Sequence, residues 1–250
     1  MAPQVQRPAR IILGLPQEQD GAILHLGQIA TLDATLGQAP MNRPFRKIIL
    51  HVGDMKTGST SIQAALAGGD VPDVGVSIAY PGRRLNHNFM KVPLTTHAKG
   101  RRPRLDEFRE TVRAERADLC VISAELLSLG DPQILREVFE AYLADLADDY
   151  AVLHYFRPHI EGVISRHAED IKIGKAAETL EDHINHAIDS GRYHHASRIK
   201  RWQDVFGSRY QYRPMIRAEL ARQDVVADFF TTILGPLPDT WKPRATVNES

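Results

Sequence analysis

Residues 47–63, Lys-Ile-Ile-Leu-His-Val-Gly-Asp-Met-Lys-Thr-Gly-Ser-Thr-Ser-Ile-Gln, constrain the fold more than any other part of this chain. Ile48 to Val52 form an apolar run of the kind that makes a buried strand. The run stops at Gly53. A short polar loop follows, carrying Lys56, Gly58 and the hydroxyl residues Thr57, Ser59, Thr60 and Ser61. Ile62 to Ala67 then read as a helix closed by Gly68-Gly69. Strand, glycine loop and helix N-terminus together make an anion site. The first-turn N–H groups have no partner inside the helix, and the helix dipole favours negative charge there. Lys56 adds a full positive charge.

The order of residues separates this loop from the nucleotide-triphosphate loop, in which the lysine follows the second glycine. Gly53 and Gly58 keep that spacing, but Lys56 precedes Gly58 and Ser59 takes the lysine's place. From Lys56 to Gln63, with His51-Val52-Gly53 before it, the segment resembles the 5′-phosphosulfate loop of the sulfotransferase family. The resemblance implies a donor, 3′-phosphoadenosine 5′-phosphosulfate, and no metal. Lys56, Thr57, Gly58, Ser59, Thr60 and Ser61 would hold its phosphosulfate, with Lys56 stabilising the leaving oxygen.

The same family grips the donor's 3′-phosphate with an arginine at a strand end and a serine eight residues later. Ala151 to Phe156 read as a strand, Arg157-Pro158 as the turn, and residues 159–173 as a helix with Pro158 suited to its first position. Arg157 and Ser165 stand at that spacing and so match the pair. Arginine suits the task because its planar fork binds phosphate bidentately.

Strands and helices alternate along the chain. Further strands are expected at Val76–Tyr80, Leu119–Ser123 and Arg209–Arg213. Further helices are expected at Leu105–Arg116, Pro132–Leu146, Ala177–Ser190, His195–Phe206 and Asp224–Leu234. Alternation of this kind gives an α/β fold with a parallel sheet and helices on both faces, and ligands then sit outside the carboxyl ends of the strands. The resemblance sharpens this to a three-layer P-loop-like fold with a helical C-terminal part. Arg201-Trp202 with Phe206-Gly207, and Asp228-Phe229-Phe230, also resemble the helical tail of bacterial sulfotransferases, and read as helix packing. Residues 1–45 show no sustained periodicity and are expected to be a partly irregular extension, with a short strand at 10–15. Residues 46–250 would be the catalytic domain. Family members often continue beyond the position of Ser250, so the resemblance leaves two expectations open, a shortened acceptor site or a degraded enzyme.

Composition sets outer limits. Formal net charge is zero, so bulk attraction to nucleic acid is not expected. The charge is nonetheless uneven: seven Lys or Arg residues and no Asp or Glu lie between Arg83 and Arg104, with His87 and His97 among them. Such a stretch suits a solvated loop or a basic flap over an anionic donor or acceptor. The single cysteine, Cys120, excludes an internal disulfide and sits in an apolar run. No stretch reaches the roughly 20 apolar residues that span a bilayer. Ile11 to Leu15 is shorter than a signal-peptide core of about 7–15 residues. A cytoplasmic protein is expected. The histidines lack zinc-ligand spacing, His183 and His186 included.

Sulfuryl transfer needs a general base for the acceptor's proton. His87, in Asn86-His87-Asn88, is the leading candidate and Glu125 the runner-up. Ser123-Ala124-Glu125 resembles a Ser-Ser-Glu segment of bacterial members. His51 is expected to be a packed core histidine. The acceptor is expected to be a small molecule or glycan, with a carbohydrate hydroxyl preferred. Two other readings remain open at this point: a nucleotide-triphosphate-dependent kinase, and a noncatalytic glycan-binding relative.

Overall fold

The structure is a computed structural model, and it describes residues 43–54, 56–82, 84–97, 102–157, 159–175, 179–189 and 195–244. The strand expected at 10–15 and Pro158 lie outside these residues, as do the ends of the helix expected at 177–190.

Five strands form one parallel sheet: β1 (Phe45–Gly53), β2 (Ile78–Ala79), β3 (Leu119–Ser123), β4 (Ala147–Phe156) and β5 (Tyr210–Pro214). Their order is β2-β3-β1-β4-β5. β1 is therefore central, with Ile49 in register with Val121 on one side and Ala151 on the other. Burial on both faces explains the unbroken apolar run of β1 and β3, since a parallel sheet covered by helices needs no polar face.

The described helices are α1 (Ser59–Ala67), α2 (Lys91–Leu94), α3 (Arg102–Arg113), α4 (Pro132–Tyr142), α5 (His159–Lys172), α6 (Leu180–Asp189), α7 (His195–Phe206) and α8 (Val225–Leu234). Two separate cores show the three layers. Ile48, Leu50 and Val52 pack with Phe108 of α3, Phe139 of α4 and Trp202 of α7. Ile49, Leu153 and Tyr155 pack with Ile62 and Leu66 of α1 and with Phe229 and Phe230 of α8. Cys120 is fully buried in the first core. Asp228 ties the second core to the sheet edge: it is buried, accepts from the Tyr155 hydroxyl at 2.6 Å and from Arg213 Nε at 2.9 Å. Asp-Phe-Phe thus has a packing role.

Several elements differ in extent from the sequence reading: α3 lies three residues earlier than expected, β1 and α1 each start three residues early, and three more differences have a visible cause. The strand expected at 76–80 shrinks to two residues, because it is an edge paired only with β3, and Ser77 is instead held by the Asp118 carboxylate. The helix expected at 132–146 stops at Tyr142, whose carbonyl accepts from Arg109, and a 3₁₀ turn at Ala144–Leu146 follows. β4 begins four residues early. Its polar start is solvated and neutralised, with Asp149 within 3.3 Å of Lys47 and 3.1 Å of Arg209. Asp224 is the N-cap of α8, accepting from the N–H groups of Val226 and Ala227. Among the described residues no helix is long and apolar enough to cross a membrane.

Candidate functional site

The loop after β1 is shaped by its two glycines. A Cβ on Gly53 would lie 2.9 Å from both the Thr57 and the Ser59 hydroxyl oxygens. Gly58 has φ +74°, and a Cβ there would lie 2.7 Å from Val225 Cγ1. The loop can close tightly against α8 only with glycine at that position. Lys56 also has a positive φ, +63°, which is uncommon outside glycine.

The four hydroxyls divide into two pairs. Thr57 and Ser59 are buried; Thr57 Oγ1 donates to the Asp54 carbonyl at 2.8 Å and lies 3.3 Å from Ser59 Oγ. These two brace the loop. Thr60 is exposed and Ser61 half-buried at the start of α1. The Ser61 and Ile62 N–H groups bond back to the Gly58 carbonyl. The N–H groups before them, at the first turn, are those a bound anion would take.

β1 and β4 are neighbours, so their carboxyl ends deliver the two motifs to one place. Asp54, Lys56, Arg157, Ser165 and Arg198 line a single crevice. Gly162, Ser165, Arg166 and Glu169 reach it from α5 at helical spacing, one face of one helix. Arg157 Nη1 donates to the Lys56 carbonyl at 2.9 Å, linking the two motifs directly. Lys56 Nζ lies 3.7 Å from Glu169. Four cationic side chains, Lys56, Arg157, Arg166 and Arg198, line the crevice with two carboxylates, Asp54 and Glu169; Arg166 also pairs with Asp170 at 2.6 Å, and the remaining balance favours an anion.

Asp54, Arg198, Arg166 and Glu169 were not singled out by the sequence. Arg198 Nη2 donates to Asp54 at 2.5 Å and to His195 Nδ1 at 3.0 Å. His154 Nε2 stands 3.8 Å from the other Asp54 oxygen. Burial alone would raise the Asp54 carboxyl, but His154 and Arg198 outweigh it and hold the group at about 2. A polar residue inside the glycine loop was the only local signal for Asp54; its partners come from α7 and β4.

The two base candidates part company. His87 is 1% exposed. Its Nε2 bonds the Pro81 carbonyl at 2.7 Å and its Nδ1 accepts from the Ser123 N–H at 3.0 Å. The ring is thus neutral with Nε2–H donating, and burial lowers its proton affinity. In this arrangement both ring nitrogens are engaged, and neither is free to take a proton from an acceptor. Glu125 is half-buried in a 3₁₀ turn at Glu125–Leu129. Burial raises its carboxyl above the usual range, opposed by the Asn88 amide 3.5 Å away and by the charge of Lys56. His51 is a core histidine, as expected: it is fully buried, with Nδ1 2.7 Å from Ser123 Oγ, and burial holds it neutral, down to about 3. Among the described residues no cluster of three or more His, Cys, Asp or Glu could hold a metal.

No protein-family model matches this sequence, and no curated protein matches it. Its structure is similar to that of a sulfotransferase from Alicyclobacillus acidocaldarius, with a TM-score of 0.51 and 18% identity over 81% of this chain and 85% of that one. A sulfotransferase domain from the curacin biosynthetic pathway also aligns, with a TM-score of 0.38 and 16% identity over 78% and 76% of the two chains. The chain has a sulfotransferase-like fold.

Proposed function

We propose that this protein is a sulfotransferase that moves a sulfuryl group from 3′-phosphoadenosine 5′-phosphosulfate to a hydroxyl or amine of an acceptor, with a carbohydrate hydroxyl preferred. The observation that carries the reading is that Lys56, Arg157 and Ser165, drawn from two motifs about 100 residues apart, line one crevice, with Lys56 in the loop that leads into the N-terminus of α1. The donor set fits a bisphosphorylated ligand: a cationic loop for one end, an arginine and a hydroxyl for the other.

When bound, the donor supplies a sulfuryl group already activated by its anhydride link to phosphate. The protein's part is positioning and charge stabilisation. Lys56 and the first-turn N–H groups of α1 hold the negative charge that develops on the phosphate side. Thr57 and Ser59 keep the loop in that shape. Arg157 and Ser165 hold the 3′-phosphate, with Arg198 close by on the same wall. Glu125 takes the acceptor's proton. Its raised proton affinity brings it nearer to that of the group it deprotonates, and Lys56 lies within electrostatic range of it. His87, Asn88 and Ser123 fix the surrounding backbone.

Calorimetric titration with 3′-phosphoadenosine 5′-phosphate, set against ATP with magnesium, tests the donor assignment. Binding of the bisphosphate, abolished or strongly weakened by Lys56→Ala, is expected. Binding of magnesium-ATP with no binding of the bisphosphate would replace this reading with a kinase. Labelled donor offered to a host-cell extract, with and without intact Lys56, then identifies the acceptor.

A further inference from the structure

The crevice at the ends of β1 and β4 leaves unused the basic stretch that runs from Arg83 into the first turn of α3. Among the described residues, two arginines of that stretch converge on a second cavity of about 210 Å³. Arg84 enters from the loop after β2 and Arg104 from the first turns of α3. Phe89 and Phe108 form an aromatic wall, Glu107 and Thr111 of α3 add polar groups, and Pro81, Gly82 and His87 close the remainder. Elsewhere arginines meet carboxylates: Arg109 meets Asp145, Arg198 meets Asp54 and Arg213 meets Asp228. Arg84 and Arg104 pair with no carboxylate among the described residues, although Glu107 shares their cavity; the contact Arg84 does make is over the Phe89 ring, 5.0 Å from its centre.

Two exposed arginines without a neutralising partner among the described residues make the cavity attractive to an anion, and their planar forks match a carboxylate or sulfate. Glu107 would repel a bare anion. Its carboxylate, however, can accept hydrogen bonds from hydroxyls, and the Thr111 hydroxyl can donate or accept. A ligand that is anionic at one end, rich in hydroxyls and ring-shaped uses all of these groups. We infer that this cavity binds an acidic sugar, its anionic group held by Arg84 and Arg104 and its hydroxyls by Glu107 and Thr111.

A link to the donor side runs through Asn88. Its neighbours in sequence, His87 and Phe89, line the cavity; its own side chain bonds Glu125 at 3.5 Å and accepts from the Leu126 N–H at 3.2 Å. One residue thus separates the cavity wall from the proposed base. Resting on the sulfotransferase reading, this makes the acidic sugar part of the acceptor.

The test is a titration of ¹⁵N-labelled protein with sodium glucuronate, read at the arginine Nε–H signals, with glucose and with sodium chloride at matched ionic strength as controls. Saturable shifts of the Arg84 and Arg104 signals are expected with glucuronate alone. In R84Q/R104Q the affinity should fall about tenfold or more, as expected when charge-assisted hydrogen bonds are removed. Both side chains are exposed, so the amide spectrum of the variant should match the wild type away from the cavity. Shifts that stay linear and equal to those with chloride, or an equal response to glucose, would overturn the inference. A parallel titration with 3′-phosphoadenosine 5′-phosphate reads the amides of residues 57–61. Failure there, with the glucuronate response intact, sinks the donor assignment and leaves the sugar-acid site standing. The reverse result sinks the sugar-acid site alone.

Discussion

Arg198 on α7 places a guanidinium nitrogen 2.5 Å from the carboxylate of Asp54 in the loop after β1, across 144 residues of sequence. The pair sets the charge of the crevice floor. With Arg198 present, the Asp54 carboxylate is neutralised and its N–H and carbonyl hold the loop to Tyr155 and Thr57. Without it, a negative charge faces an anion site.

Arg198→Ala is therefore expected to weaken binding of 3′-phosphoadenosine 5′-phosphate by about tenfold or more, and to cost about 1–3 kcal/mol of stability through the stranded carboxylate. Adding Asp54→Asn should recover part of both losses, because the repulsion is then removed. Calorimetry and urea denaturation of the two single variants and the double variant measure this. A double variant that binds no better than Arg198→Ala would refute the repulsion account.

Gly58 and Gly69 both have positive φ, +74° and +68°, but differ in surroundings. A Cβ at Gly58 meets Val225; one at Gly69 meets nothing within 4 Å. Gly69→Ala should cost about 1 kcal/mol, the price of the left-handed backbone alone. Gly58→Ala adds overpacking of about 1–3 kcal/mol. Val225→Ala in the Gly58→Ala background should relieve only that second part. Equal losses for the two single variants in denaturant titration would show that the contact with α8 is immaterial.

What could be read from sequence was what is local. Strand, glycine turn and helix lie within residues 47–67, and each signals itself by its own residues: the apolar run, Gly53 and Gly58, then Ile62 to Leu66. Arg157 and Ser165 were visible for the same reason, as a strand end and a helix face eight residues apart. Their convergence with Lys56 follows from β1 and β4 being adjacent in a parallel sheet. The Asp54–Arg198 pair was not visible, because nothing in a lone loop aspartate says that α7 will cross it. The burial of His87 was not visible either, because a histidine between two asparagines after a strand looks solvated. In the fold its backbone N–H bonds the Ser123 carbonyl, at 2.8 Å, and draws the ring into the core.

Stability should fall on mild acidification, and His51 should account for much of the fall. Its unfolded proton affinity is near 6.5 and its folded value is depressed to about 3 by burial and by nearby His154. Between those values the unfolded chain binds the proton and the folded chain does not. Stability thus rises with pH across that window and is lost as pH drops through it. At roughly 1.4 kcal/mol per unit, the full window is worth on the order of 5 kcal/mol. His51→Asn should flatten the dependence between about pH 6 and pH 4, even if its stability at pH 8 is lower. Urea midpoints against pH for both proteins decide it; parallel curves would mean that His51 does not titrate with unfolding.

Glu125 and His87 can be told apart by what each substitution breaks. Glu125→Gln keeps the bond to Asn88 and the shape of the 3₁₀ turn but cannot take a proton. Its rate of sulfuryl transfer to the extract-derived acceptor should drop by about 100-fold or more, with binding of 3′-phosphoadenosine 5′-phosphate within about twofold of wild type. In the wild type, the rate should fall as pH drops through the raised proton affinity of Glu125, since the base must be ionised, and that acidic limb should vanish in the Gln variant. His87→Asn removes bonds to the Pro81 carbonyl and the Ser123 N–H, leaving a buried donor and acceptor unpaired. It should cost about 1–3 kcal/mol of stability while the acidic limb keeps its position. A folded His87→Asn protein without the limb, alongside an active Glu125→Gln protein that retains it, would return the proton to His87, and would require the imidazole to leave the Ser123 N–H during the reaction.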